Sequence, residues 1–404
     1  MSTIDQDSSP SRLGRGGEER TGVGNLALAF LKLGTIAFGG PAAHIAMMRK
    51  EFVDRRGWLT EADFLDLVGM ANLIPGPSST EVAIFIGYRR AGVLGLLIAG
   101  LCFILPAALI VLTLAAGYRT YGHLPIGQGI LYGIKPVIIA IVVQALWTLG
   151  RQAVKSTTLG VIGAVALIAV AGGLPPLTVV LAGGLAALLI AGRAPDQPRR
   201  SVTGILGFAI VIAAISLMGL LLQPSPAWHN KTLSLLIVFV KIGSVVYGSG
   251  YVLLAYLKTD LVTRLHWLTS TQLLDAVAVG QFTPGPVFTT ATFIGYLIGG
   301  VPGAIVATLG IFLPAFLFVG IARRGIGRLR ESPSTSAFLD GVNVASLALM
   351  TAVSWQLSRT AVVDVATAVV ALSSAFILFR YRLNSMWLLA SGAIVGLIKI
   401  SMVH

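Results

Sequence analysis

A Pro-Gly-Pro tripeptide occurs twice in this chain, each time inside an apolar run and in the same surroundings. Leu73-Ile-Pro-Gly-Pro-Ser-Ser-Thr80 is followed by Phe85-Ile-Gly-Tyr88, and Phe282-Thr-Pro-Gly-Pro-Val-Phe-Thr289 by Phe293-Ile-Gly-Tyr296. Proline removes a backbone donor and clashes with the preceding turn, so Pro75-Gly76-Pro77 and Pro284-Gly285-Pro286 should each end one half-helix and begin another. Helices broken at matching points of two halves are the sequence mark of a secondary transporter whose substrate site lies at the breaks.

The matching extends well beyond these motifs. Phe30-Leu-Lys-Leu-Gly34 pairs with Phe239-Val-Lys-Ile-Gly243, Trp58-Leu-Thr60 with Trp267-Leu-Thr269, and Asp66 with Asp275. After a one-residue deletion in the second copy, Leu105-Pro-Ala107 pairs with Leu313-Pro-Ala315, Gly133 with Gly341, Trp147 with Trp355 and Arg151 with Arg359. The chain is a duplication.

Only 11% of the residues are charged and the mean hydropathy is +0.87, values that exclude a soluble globule of this length. Thirteen apolar segments are candidates for crossing a bilayer: 25–48, 62–88, 91–116, 127–150, 158–173, 175–192, 203–222, 232–257, 271–297, 301–322, 336–357, 361–379 and 385–403. The formal charge of +13 does not mark a nucleic-acid binder, because Lys and Arg sit in short loops between apolar runs, as the positive-inside rule explains. The one cysteine, Cys102, lies within a segment and excludes a disulfide framework or a cysteine metal cluster, so neither metal nor cofactor is expected. No His-Glu-x-x-His pattern or Gly-x-Ser-x-Gly elbow supports an intramembrane enzyme.

Loop charge orients the copies. Arg89 and Arg90 after the first Pro-Gly-Pro segment become Leu297 and Ile298 in the second copy, whereas the next loop holds Arg119 in copy one and Arg323, Arg324, Arg328 and Arg330 in copy two. The positive side has switched, so the repeats are inverted. The expected fold is an all-α integral membrane protein of two inverted-topology repeats with broken or re-entrant helices. If 25–48, 62–88 and their copies are hairpins there are about nine full spans plus four hairpins; otherwise there are about thirteen spans. The hairpin arrangement gathers more Lys and Arg on one face. Both place the N-terminus in the cytoplasm and the C-terminus in the periplasm. The expected organisation is a disordered tail over 1–22, a first transport repeat over 23–192, a linker with one transmembrane helix over 193–231, and a second repeat over 232–404.

The half-helix after the first break opens with Ser78, Ser79 and Thr80, and that after the second reaches Thr289 and Thr290. Free N–H groups and the positive helix end there suit an anion. Gly39, Gly40 and Pro41 form a second break whose copy holds Gly248 and Ser249; these read as tips of a first hairpin or as small residues for helix packing. Lys32 and its copy Lys241 lie inside apolar segments, either facing a central anion or snorkelling to headgroups. Glu81 is the acid within one turn of a break, and its copy is Thr290; it reads as a proton-coupling carboxyl or as a helix cap. His44, Asn72 and Gln281 offer donors to an oxyanion or to the broken backbone. Lys135, whose copy is Asn343, and Lys399 are weaker candidates.

The motifs Phe-Gly-Gly-Pro-Ala-Ala-His at 38–44, Pro-Gly-Pro-Ser-Ser-Thr at 75–80, Ile86-Gly-Tyr-Arg-Arg-Ala-Gly92 and Thr283-Pro-Gly-Pro-Val-Phe-Thr-Thr-Ala-Thr-Phe-Ile-Gly-Tyr296 resemble the chromate ion transporter family, long two-domain type. The resemblance covers most of 25–404. It implies a bacterial inner-membrane protein that exports chromate, with sulfate as a related tetrahedral dianion, driven by the proton motive force. The expected partners are that oxyanion and the lipid bilayer; a homodimer is a further candidate, and nucleic acid is not expected. One departure stands out: the family's Phe-Gly-Gly-Gly is Tyr247-Gly-Ser-Gly250 here, which points to Ser249 and Tyr251 as sites of altered selectivity.

Overall fold

A computed structural model describes residues 22–192, 231–247, 250, 252–322, 332–381 and 385–403. Among these the chain is helical and forms no strand. The expected tail, the segment 203–222, Gly248, Ser249, Tyr251 and the arginine-rich loop 323–330 lie outside the described residues.

The first repeat comprises α1 (Val23–Ile36), α2 (Gly40–Arg49) continued by a π-turn (Lys50–Arg55), α3 (Glu61–Ala71), α4 (Ser78–Tyr121), α5 (Pro125–Ala153), α6 (Thr157–Ala171) and α7 (Pro176–Ala191). The second follows the same order: α8 (Lys231–Val245), α9 (Leu253–Leu257) with its π-turn (Lys258–Arg264), α10 (Ser270–Phe282), α11 (Thr290–Ala322), α12 (Pro333–Ala361), α13 (Val365–Tyr381) and α14 (Ser385–Val403).

The breaks turn the chain back on itself. Phe30 in α1 and Phe52 after α2 have ring centroids 4.9 Å apart, a contact that a straight continuation of about 1.5 Å per residue forbids. The copy shows the same return, with Lys241 of α8 reaching Asp260 at 2.8 Å. Arg89 likewise meets Asp63 at 3.4 Å, and the Arg90 guanidinium donates to the Trp58 carbonyl at 3.1 Å, folding 78–90 back along α3. A third reversal lies inside α4, where Ala91 and Gly92 leave helical geometry and Gly92 takes φ 62°. Its copy at Gly299 and Gly300 brings Thr292 and Thr308 to 2.7 Å. Each repeat therefore holds two hairpins before its crossing helices. Among the described residues five helices (α4, α5, α11, α12, α14) are long and apolar enough to cross a membrane, and α1, α6, α7 and α13 are shorter apolar helices.

The repeated motifs have local causes. Thr60 caps α3 by accepting from the Asp63 N–H, and Thr269 caps α10 in a capping box with Gln272. Trp58 stacks on Phe52, ring centroids 5.2 Å apart, with the Arg56 guanidinium over its face. Gly34 is fixed because a Cβ would lie 2.7 Å from the Phe103 carbonyl of α4, and Gly243 packs in the same way on Ile311 of α11.

The repeats interlock beyond the hairpins. α5 packs on α13 and α14 of the other repeat, while α12 packs on α6 and α7 of the first. Small residues permit this close approach: Gly133 lies against Gly392, and Gly341 against Gly183. The C-terminal end of α5 lies beside the N-terminal half of α12, so these equivalent helices run in opposite directions. This is the inverted arrangement that the loop charges predict.

Candidate functional site

Each Pro-Gly-Pro turn docks on the first-hairpin tip of the opposite repeat. The Gly76 N–H donates to the Val246 carbonyl at 2.7 Å, and the Gly285 N–H donates to the Ala37 carbonyl at 2.7 Å. The four residues are two equivalent pairs, so the crossing has the pseudo-twofold symmetry of the duplication. Both glycines have positive φ, 137° at Gly76 and 84° at Gly285, a region that side chains strain to enter. Gly39 and Gly40, with φ of 103° and 78°, form the tip that carries Ala37.

Polar groups gather asymmetrically at this crossing. On the first-repeat side the His44 ring nitrogen Nδ1 lies 3.3 Å from Ser79 Oγ, and its ring packs edge-on to Phe103. His44 Nε2, Thr80 Oγ1 and both carboxyl oxygens of Glu81 are buried without a hydrogen-bond partner. Glu81 is fully enclosed, and a Cβ at Gly76 would lie 2.5 Å from its Oε1, so the carboxyl sits directly beneath the Pro-Gly-Pro turn. An ionised carboxylate held there has nothing to replace its hydration. On the second-repeat side the hydroxyls are satisfied locally, Thr289 donating to the Pro286 carbonyl and Thr290 to the Val287 carbonyl, each at 2.8 Å. Gln281 is buried with its Nε2 unpartnered.

Two cavities open at opposite ends of α5 and α12. The first, about 370 Å³, reaches the broken helix at Asn72 and Ser78 and is walled by Gln152, Lys155, Asn343 and Ser346. Its walls offer amides, hydroxyls and one lysine, and that lysine pairs with Asp340 of the same wall at 2.7 Å. The second, about 590 Å³, lies between the N-terminal end of α5 and the C-terminal ends of α12 and α14. It holds Lys135 with Asp275, and Lys399 with Asp364 and Tyr132. Asn343 is the copy of Lys135 and Asp340 that of Tyr132, so the cavities are themselves counterparts.

The structure brings Asn72 and Ser78 into one cavity wall, and it gathers Pro75, Gly76, Pro77, Ser79, Thr80, Glu81 and His44 just behind it. Pro284, Gly285, Pro286 and Gln281 belong to the symmetric half of the crossing. Pro41 approaches Gly250 across the two tips, its Cγ standing 3.7 Å from where a Cβ would be. The lysine pair does not act as two cations around a central anion. Lys32 lies on the exposed side of α1, whereas Lys241 is buried and neutralised by Asp260, with Arg264 at 3.6 Å. The cause is local: Glu51, the copy of Asp260, is taken by Arg56 at 2.6 Å and Arg55 at 2.9 Å, leaving Lys32 no acid to face. Lys135, unmatched in the repeat, has a partner that sequence spacing concealed.

Gln152, Lys155, Asn343 and Ser346 of the first cavity escaped the sequence reading. They sit at ordinary helix ends and helix faces, far along the chain from either break. The duplication relates 152–155, which line the first cavity, to 360–363, which line the second.

Duplicated, oppositely directed units whose broken helices cross at a buried polar site define an inverted-repeat membrane transporter. The family model described as "Chromate transporter" matches residues 24–188 and again 233–397. The chain is 33% identical over 388 residues to the "Chromate transport protein" of Cupriavidus metallidurans, covering 94% of each chain. It is 31% identical to the "Chromate transport protein" of Pseudomonas aeruginosa, over 91% of this chain and 90% of that one. A "Probable chromate transport protein" of Synechococcus elongatus is also 31% identical, over 85% and 86%. No solved structure matches. This chain belongs to the chromate transporter family, a multi-pass membrane protein of two repeats.

Proposed function

We propose that this protein exports chromate across a bacterial inner membrane at the expense of the proton motive force, with sulfate as the competing dianion. The observation that carries the reading is Glu81, enclosed without a partner one turn beyond Ser78, where Ser78 lines a polar cavity whose lysine is paired with Asp340. A dianion in that cavity and a charged Glu81 repel each other, so anion binding and carboxyl protonation are thermodynamically linked. His44, on Ser79, is the neighbouring group through which a proton reaches the carboxyl. The positive-inside rule sets the first cavity facing the cytoplasm, since Arg151 and Lys155 flank it. The N-terminus is then cytoplasmic and the C-terminus periplasmic, with 23–192 and 232–404 as the transport repeats and 193–231 as the linker between them. With the linked proton carried along, one net negative charge moves outward, which an inside-negative potential favours by about 2.3 kcal/mol per 100 mV.

Purified protein in proteoliposomes tests the reading. Chromate should move against its gradient when a pH gradient is imposed, sulfate should compete, and collapse of the gradient with a protonophore should stop accumulation. Accumulation that ignores the pH gradient would remove proton coupling, and failure of chromate to compete with sulfate would remove the substrate.

A further inference from the structure

The two cavities are counterparts, yet one is sealed from the crossing and the other is not. On the sealed side α10 packs on α4, α5 and α12, and it buries most of its length, Asp275 included at 2% exposure. Lys135 of α5 pairs with Asp275 at 3.0 Å, and the Tyr118 hydroxyl of α4 donates to the same carboxylate at 2.9 Å. One buried acid thus ties α10 to both α4 and α5 at the floor of the second cavity. On the other side the equivalent helix α3 packs on α4 and α2 and makes no comparable packing on α5, α11 or α12 among the described residues. Its Asp66, the copy of Asp275, is exposed, and the residue facing it by symmetry is the neutral Asn343. The first cavity occupies the space left between the end of α3 and α12, and it runs through to Asn72 and Ser78.

We infer that the Lys135–Asp275–Tyr118 cluster is the gate of the second cavity, closed in this structure, and that transport alternates between this closure and a symmetric closure of α3 over α5 and α12. In an inverted repeat the two halves exchange conformations to produce the opposite-facing state. α10 then leaves α5, opening the second cavity toward Gln281, while α3 takes the packing that α10 now has and closes the first. The copy of Lys135 is the neutral Asn343, so the ion pair between this helix and the crossing helix forms at the second cavity, and the closed second cavity is the state that this sequence favours at rest. Lys135 and Asp275 are positioning residues: they set which face is open without binding the anion at the crossing. The inference rests on the transporter reading but not on the identity of the anion or the coupling ion.

The test uses the full chain in proteoliposomes in a Cys102→Ala background, with a reporter cysteine at Ala278, buried one turn deeper on α10 than Asp275. Labelling by an impermeant maleimide is slow in the parent. It should rise at least about fivefold in the uncharged pair Lys135→Met with Asp275→Leu, which leaves no lone buried charge and so guards against misfolding. It should return toward the parent rate in the exchanged pair Lys135→Asp with Asp275→Lys. Separately, cysteines at Lys135 and Asp275 joined by a short bifunctional methanethiosulfonate should stop chromate transport, and a reductant should restore it. Unchanged labelling in the uncharged pair, or undiminished transport across the joined cysteines, overturns the gate. Labelling needs no substrate, so a wrong anion leaves this result intact.

Discussion

α3 and α10 derive from one ancestral segment and carry matched caps, Thr60 and Thr269, and matched acids, Asp66 and Asp275, but they stand in different surroundings. α10 buries Leu273, Leu274, Asp275, Ala276, Val277 and Ala278 in succession, while α3 buries Phe64, Leu67 and Ala71, the stripe of a helix covered on one face. Beyond their ends the difference reverses. The half-helix after α3 holds a buried, unpartnered acid, and the half-helix after α10 holds threonines that satisfy themselves. Duplication supplied a symmetric frame of hairpins and glycine crossings, and divergence placed the buried acid Glu81 in the first half and the Lys135–Asp275 pair, which joins the two halves, at the second cavity. A symmetric frame provides two equivalent states, and asymmetric residues set which of them is favoured, while the gradients across the membrane set the direction of net transport.

The largest test of this division of labour is the acid itself. Glu81→Gln should lower accumulation driven by a pH gradient by about a hundredfold while leaving chromate–chromate exchange in place, because coupling free energies of about 1–3 kcal/mol vanish with the charge change. Thr290→Val, at the equivalent position, should leave pH-driven accumulation within about threefold, as it removes only a hydroxyl that bonds its own turn. Equal losses in the two variants would show that the halves are not specialised.

A second contrast compares the paired lysines. Lys241→Ala leaves the buried Asp260 with only the more distant Arg264 and should cost about 3 kcal/mol of stability, read as a lower melting temperature in detergent. Lys32→Ala removes an exposed side chain and should change stability by less than about 0.5 kcal/mol. A third contrast uses the crossing glycines. Alanine at either is strained by positive φ at a cost of about 1–3 kcal/mol. At Gly285 the new Cβ also meets Ala107 Cβ at 2.6 Å and the Gly34 carbonyl at 3.2 Å, so packed backbone has to move and stability should fall further. At Gly76 it meets the end of the Glu81 side chain, so Gly76→Ala should show its excess loss in pH-driven transport instead.

Much of the frame was legible in the sequence because it depends on residues with narrow backbone roles. Proline and glycine mark the breaks, the matched Trp-Leu-Thr marks a stacked ring and a cap, and the loop arginines mark inversion. Hairpins and full spans both stayed open for 25–48, 62–88 and their copies, because segment length and loop charge do not show where the chain turns back. The cavity walls were not legible, since Gln152, Lys155 and Asn343 gain meaning only when α5 and α12 run past each other. Ion pairs were legible least. Lys135 meets Asp275, and Lys241 meets Asp260, through tertiary packing that no spacing rule encodes, and the identity of each partner decided whether an intramembrane lysine is free to face an anion.

The smallest expected effect comes from the caps of another equivalent pair. α6 begins at Ser156, whose side chain accepts from the Leu159 N–H, and α13 begins after Asp364, whose carboxylate accepts from the equivalent Thr367 N–H. Hydrogen bonds from Lys399, then from Tyr132 and the Thr367 backbone, hold the Asp364 carboxyl well below the usual carboxylate range. A depressed folded-state value contributes stability that is present above the unfolded value, near pH 4, and lost as pH falls toward the folded one. Wild-type melting temperature should therefore drop between about pH 5 and pH 3 with a component that Asp364 supplies. Asp364→Ser, which rebuilds the Ser156 type of cap, should remove that component and leave the neutral-pH fold intact. The site is solvent-exposed, so added salt should shrink the difference as well. If the two proteins show the same acid slope, the Asp364 cluster is electrostatically idle and the two caps are equivalent in kind.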